Sequence, residues 1–349
     1  MMPTAEHVRQ ASALVHAALA YLDSEPWDLI AERECFALRD PVSDEQLFVS
    51  VRGQSDVWPG LALFRGTEGF HSMHILMCAP LESLDEREML EISGTFVEFQ
   101  PMCLLPERAI HPLEAAGVQI QPDALAPAFM SYLPGHVPGG PTVEEIRLLT
   151  LALQAASAVV LDVVFDVVRL RAANPYWIER RLVQRETLRW EYAVVRPEIV
   201  RSADRLSADP VDELARERLR RLPRRPHEIW EIDLVPVSVL SELSAHERWP
   251  IAMALLVVDR ESGRTKHLEY LPAPSRYERI GEVLARAFVT VGAAPGQLRV
   301  RDHRFRARIA HVARVLECKL ITTKYLPTLA EAHESLRGAL APWAPGAPE

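Results

Sequence analysis

Apolar residues recur at three- and four-residue spacing from residue 5 to 22 (Val8, Ala11, Leu14, Val15, Ala18, Leu22), which predicts an amphipathic helix. From Glu34 the period shortens. CFALRD, QLFVSVRG, GLALFRG and GFHSMHIL are short apolar or alternating runs punctuated by Gly53, Pro59-Gly60 and Gly66, the pattern of an antiparallel meander. LESLDEREMLEI returns to helical spacing, TFVEFQPM alternates as a strand, residues 106–116 read as a short helix and PAFMSYL as another strand. PGHVPGGP (134–141) breaks the pattern and reads as a linker, or as a loop whose glycines let a ligand approach. After it, Thr142 and Glu145 form a T-x-x-E capping box that opens a long apolar helix.

In the second half, ETLRWEYAVV and EIWEIDLVPV (228–237) read as strands on either side of a charged helix, VDELARERLRRL (211–222). PIAMALLVVD (250–259) is apolar throughout, as a strand buried on both faces must be. It turns at residues 261–264 into TKHLEYL. Ser275 with Glu278, and Thr328 with Glu331, are further capping boxes. The order from Pro250 onward is ββαβαβα, which predicts a mixed sheet covered by helices. The fold class expected is α+β in two modules. An acidic domain at 1–135 has a mostly antiparallel sheet, and a helix-led α/β domain at 142–349 has a mixed sheet, with the long helix packed between them.

Charge changes this picture. The 349 residues carry a net charge of −9, unevenly spread: residues 1–150 hold 22 acids, 8 arginines and no lysine, and the remainder is net +5. Phosphate contacts need a positive face, so nucleic-acid binding by the first half is disfavoured. The basic runs lie in the second half: Arg218, Arg221 and Arg225 within RERLRRLPRRPHEIW, and Arg301, Arg304 and Arg308 around QLRVRD. Arginine grips phosphates and carboxylates bidentately, so these six are the candidate binding residues; the competing reading is a solvated face paired with carboxylates. The partner expected is a nucleic acid or an acidic protein. The apolar stretch Leu148–Leu161 is too short to span a bilayer, and the start of the chain has no basic or apolar leader, so no membrane is expected and a cytoplasmic location is.

Among chemical motifs, no P-loop, G-x-G-x-x-G, G-x-S-x-G or H-E-x-x-H is present. The four cysteines have no C-x-x-C spacing. His71, His74 and Cys78 have a metal-like spacing, but on a strand the two histidines would point to opposite faces. Asp259 and Asp302 each end a predicted strand, and Glu334 sits on the last helix. Three such oxygen ligands suit Mg²⁺ or Mn²⁺, the ions of metal-dependent phosphoryl transfer. Each also suits a humbler role, as turn starter, helix cap or solvated residue.

LLVVDRESGRTKHLEY, LRVRD and Tyr325-Leu326-Pro327, with Glu334 seven residues past the proline, together resemble a reduced ribonuclease-H/integrase-like core over 228–340. The resemblance implies Asp259, Asp302 and Glu334 as metal ligands. His303-Arg304 stands where that family has Asn-Gly, and PAPSRYERI follows the hairpin where a third strand is usual. The whole chain also resembles uncharacterised bacterial proteins with tandem α/β domains. The function expected is that of a non-catalytic interaction or regulatory protein without a cofactor, and the alternative is a divalent-metal nuclease.

Overall fold

A computed structural model describes residues 5–32, 34–54, 58–78, 84, 89–165, 170, 176–184, 188–197, 211–237, 251, 253–271, 280–301 and 303–340. The chain divides into two compact units, Met1–Val200 with Ala245–Arg248, and Arg201–Ser244 with Trp249–Glu349. Each contains one sheet, so the protein is α+β with two modules.

The first unit is built on seven strands: β1 (Phe36–Arg39), β2 (Gln46–Arg52), β3 (Gly60–Arg65), β4 (Gly94–Pro101), β5 (Leu125–Tyr132), β6 (Trp177–Gln184) and β7 (Arg189–Val195). Their order is β5-β4-β3-β2-β1-β6-β7. Every pairing is antiparallel except β1 with β6. Helices α1 (Ala5–Asp23), α2 (Gly66–Cys78), α3 (Glu107–Ala115) and α4 (Val143–Val164) accompany it. Strand alternation sends Leu47, Val49 and Val51 to a core shared with α1 and α4, and Phe48, Ala62 and Phe64 to a second core with Met73 and Leu76 of α2. Both faces are therefore covered, which is why β2 is buried along its whole length.

Three expectations change here. GFHSMHIL is helical, not a strand, because Phe70, Met73 and Leu76 must lie along one stripe to cover Phe48 and Phe64. The Pro/Gly run at 134–141 does not separate the modules. Gly139 pairs back onto Ser131 of β5 through two backbone hydrogen bonds, and the Thr142–Glu145 capping box then launches α4 across the same sheet. The long helix thus belongs to the first unit. By length and composition α4 could cross a bilayer, yet Leu148, Leu149, Ala152, Leu153, Ala156 and Val159 are fully buried against the sheet and α1. Each fully buried Leu or Val among these is worth about 1.5–3 kcal/mol.

The second unit contains β8 (Arg224–Pro236), β9 (Met253–Asp259), β10 (Thr265–Leu271), β11 (Ala294–Val300) and β12 (Lys319–Thr322), with α5 (Glu213–Arg220), α6 (Ile280–Val291), α7 (His303–Val315) and α8 (Pro327–Leu340). The sheet order is β10-β9-β8-β11-β12. β8 is antiparallel to β9 and parallel to β11, and β12 continues parallel. The ββαβαβα order is present, with β8 inserted at the centre of the sheet. Gly296 lets β11 press onto β8, since a Cβ there would lie 2.0 Å from the Pro226 carbonyl oxygen. α8 begins at Pro327, so Thr328 sits inside the first turn, and its hydroxyl reaches the Arg260 carbonyl at 3.4 Å instead of capping. The Ser275–Glu278 capping box lies outside the described residues.

Candidate functional site

Both ends of the β9–β10 hairpin turn are held by Asp259. One carboxylate oxygen accepts hydrogen bonds from Ser262 N (2.8 Å) and Ser262 Oγ (2.7 Å). The other oxygen lies 3.5 Å from Lys266 Nζ. Burial alone would raise the carboxyl pKa, but the Ser262 hydrogen bonds and the Lys266 charge hold it below the ordinary aspartate value. Asp259 is thus a turn-forming residue that also pairs with a cation.

Its direction follows from the strand. Ala254, Leu256 and Val258 of β9 pack with Leu326, just before α8, and with Leu329 in its first turn. Alternation points Asp259 to the other face, where its register partner Trp230 stacks on Phe288 of α6 with centroids 5.5 Å apart. Glu334 is exposed on the outer side of α8. The sheet therefore lies between these two carboxylates, and the pair does not converge. Asp302 lies outside the described residues. Among the described residues no group of three His, Cys, Asp or Glu side chains could hold a metal ion. His71 and His74 are exposed one turn apart on α2, not on a strand, and the side chain of Cys78 lies outside the description.

The sheet does bring together two acids that the motifs did not single out. Glu231 and Asp233 of β8 are 0% and 1% exposed. Spaced two apart, they share the face toward α8. Glu231 accepts the Leu329 N–H at 2.9 Å, in the first turn of α8, and faces Arg260 at 3.7 Å. Asp233 faces Arg301 at 3.5 Å and accepts the Leu234 N–H. A carboxylate beneath a helix N-terminus satisfies an orphan N–H and meets the positive end of the dipole. The signal was present in EIWEIDLVPV: two acids alternating with Trp230, Ile232 and Leu234 on a buried strand need partners on the opposite face.

The arginines are distributed differently. Arg221 pairs with Glu217 (3.4 Å) and Arg225 with Glu228 (2.8 Å), whereas Arg218 is exposed with no ion-pair partner among the described residues. Arg301 serves Asp233, Arg308 is half-buried on α7, and the Arg304 side chain lies outside the description. Part of the basic run is thus the salt-bridged helix face that the spacing also allowed. Exposed pairs of this kind are worth only about 0–1 kcal/mol.

A comparison with curated proteins gives no match. Residues 12–178 match the model of a Domain of unknown function (DUF7309) and residues 215–337 that of a second Domain of unknown function (DUF6930), one in each compact unit, so the chain is similar to a pairing of these two domains.

Proposed function

We propose that this is a non-catalytic interaction or regulatory protein whose second unit meets a polyanionic partner, nucleic acid or an acidic protein, through Arg218, Arg221 and Arg225 and the arginines around β11 and α7. The observation that carries the reading is the pairing of Glu231 with Arg260 and of Asp233 with Arg301. Buried acids on a central strand could serve a metal; here a guanidinium stands beside each of them, and Asp259 is spent on a turn. The sheet order, with three antiparallel strands followed by two parallel ones and a helix after each of β10, β11 and β12, supports a ribonuclease-H-type scaffold. In that scaffold β8 supplies the first strand and the hairpin the second and third. This accounts for the missing strand after the hairpin and moves the leading strand away from Asp259.

The test uses the full chain. Binding to labelled single- and double-stranded DNA and RNA is measured across a salt series. Nucleic-acid contact predicts log K falling linearly with log salt, and a shallower slope for Arg218→Glu and Arg221→Glu. Retention on polyglutamate without retention on nucleic acid selects the acidic-protein partner. A response to neither removes the polyanion reading. Mg²⁺- or Mn²⁺-dependent cleavage by wild type that Asp259→Ala abolishes would replace it with the nuclease.

A further inference from the structure

In the first sheet the parallel ladder of β1 with β6 ends at Arg39 opposite Arg181. From there the chain leaves in opposite directions. β1 turns back into β2 on one side, while β6 runs on to Gln184 and returns as β7 on the other. Divergence at the carboxyl ends of neighbouring parallel strands opens a crevice, the place where such strands commonly hold ligands. A cleft of about 530 Å³ lies at that point, within the size range of small-molecule sites. Its lining is of two kinds: Arg39 and Arg181 bring positive charge, and Pro41, Val42, Leu182 and Val183 bring apolar surface. Val42 is 63% and Val183 50% exposed, so the apolar side stands open to solvent.

The charge is only partly used. Glu179, fully buried, accepts from Arg39 Nη2 (2.8 Å), Arg181 Nε (2.8 Å) and Gln46 Nε2 (2.7 Å). Arg39 Nη1 donates to the Asp44 carbonyl at 2.8 Å, and Arg39 Nε lies 4.0 Å from the exposed Asp44 carboxylate. Arg181 is half-exposed, and its two Nη groups have no acceptor among the described residues. Its fork is thus fixed in direction by Glu179 and unspent beside the cleft. Arg147 does not compete for an anion, because Asp40 and Glu144 occupy its guanidinium. The backbone is strained around the cleft. Asp44 in its lining has φ 59°, and Leu188 has φ 48°, a left-handed conformation that costs a leucine about 1–2 kcal/mol. Leu188 lines a second cleft of about 370 Å³ that also touches Pro41, Val42 and Leu182 and adds Ile146 and Leu151. Strain of this sort gathers at ligand sites.

We propose that this cleft binds a small amphipathic carboxylate, whose head accepts from the two Nη groups of Arg181 while a short apolar chain lies along Val42, Leu182 and Val183. One unspent guanidinium matches one monovalent anion; a doubly charged phosphate would add repulsion from Asp44 and Glu179. The site lies wholly in the first unit and does not rest on the polyanion reading, which concerns the second.

The experiment is isothermal titration calorimetry of the full chain with octanoate, acetate and 1-octanol as probes, at constant pH and ionic strength. The expected result is saturable one-site binding of octanoate, roughly tenfold or more tighter than acetate, which lacks the chain, and than octanol, which lacks the charge. Arg181→Gln should weaken octanoate roughly tenfold or more, the loss expected for a charge-assisted hydrogen bond. Because Arg181 also holds Glu179, a second variant is needed. Val183→Asp sets a like charge in the cleft at a half-exposed position and should weaken octanoate by a similar factor while the chain still unfolds cooperatively. No binding of octanoate, binding matched by acetate or by octanol, or an unchanged affinity in a folded Arg181→Gln overturns the site. Should Arg181→Gln lose its cooperative transition, an unchanged affinity in Val183→Asp overturns it instead. Octanoate binding without salt-dependent retention of polyanions leaves the site standing and removes only the reading of the second unit.

Discussion

Replacing Asp259 by alanine separates a structural from a metal-binding carboxylate. In the fold, the substitution removes two short hydrogen bonds from Ser262 and leaves Lys266 with Glu228 as its remaining carboxylate, at 3.5 Å. Hydrogen bonds to a charged acceptor contribute about 1.5–3 kcal/mol each, but the Ser262 hydroxyl can turn to water once released, so about 2 kcal/mol is expected in total. For a domain of 150–250 residues each kcal/mol moves Tm by about 2–4 °C, so the transition of the second unit should fall by roughly 4–8 °C. Calorimetry of the full chain at a series of pH values is the assay. The folded-state pKa of Asp259 is depressed, so its contribution is complete above the ordinary aspartate range and lost as pH falls through the lower, folded value. The gap between wild type and Asp259→Ala should therefore close in acid. A gap that is absent at neutral pH, or one that appears only when Mg²⁺ is added, would refute the turn-forming role.

Further consequences are open to measurement. Glu231→Gln should leave Arg260 without its buried counter-charge and lower the stability of the second unit by about 1–3 kcal/mol in urea unfolding, whereas an exposed change at Glu334 should stay within about 0.5 kcal/mol. In the first unit Arg147 grips Asp40 bidentately at 2.8 Å for both bonds, so a double-mutant cycle of Asp40→Ala and Arg147→Ala should give a coupling of about 0.5–3 kcal/mol; additivity would show that the clamp is idle. Thiol labelling of the native chain should modify exposed Cys103 well before Cys35 or Cys318, because burial pushes those thiols up to about 11 and about 12. Gly296→Ala should destabilise strongly, since β11 would have to move off the Pro226 carbonyl.

Local signals in the chain were sufficient for much of this architecture. The Thr142–Glu145 cap, the alternation in TFVEFQPM and the buried run through Asp259 each depend on residues within one turn or one strand of each other, and each element stands where those residues put it. Charge patterning likewise located the acidic first unit and the arginine-rich second one. What the folded chain alone decided was non-local. The run from Gly66 to Cys78 has an apolar content compatible with either period, and only the aromatic face of β2 and β3 selects the helix. β6 joins β1 across about 140 residues of chain, and β8 enters the middle of a sheet whose other strands follow it in sequence. That insertion set which face every carboxylate presents. Asp259 turned away from α8, and Glu231 and Asp233 turned toward it, because the side-chain period of a strand is two and its meaning depends on what packs on each side.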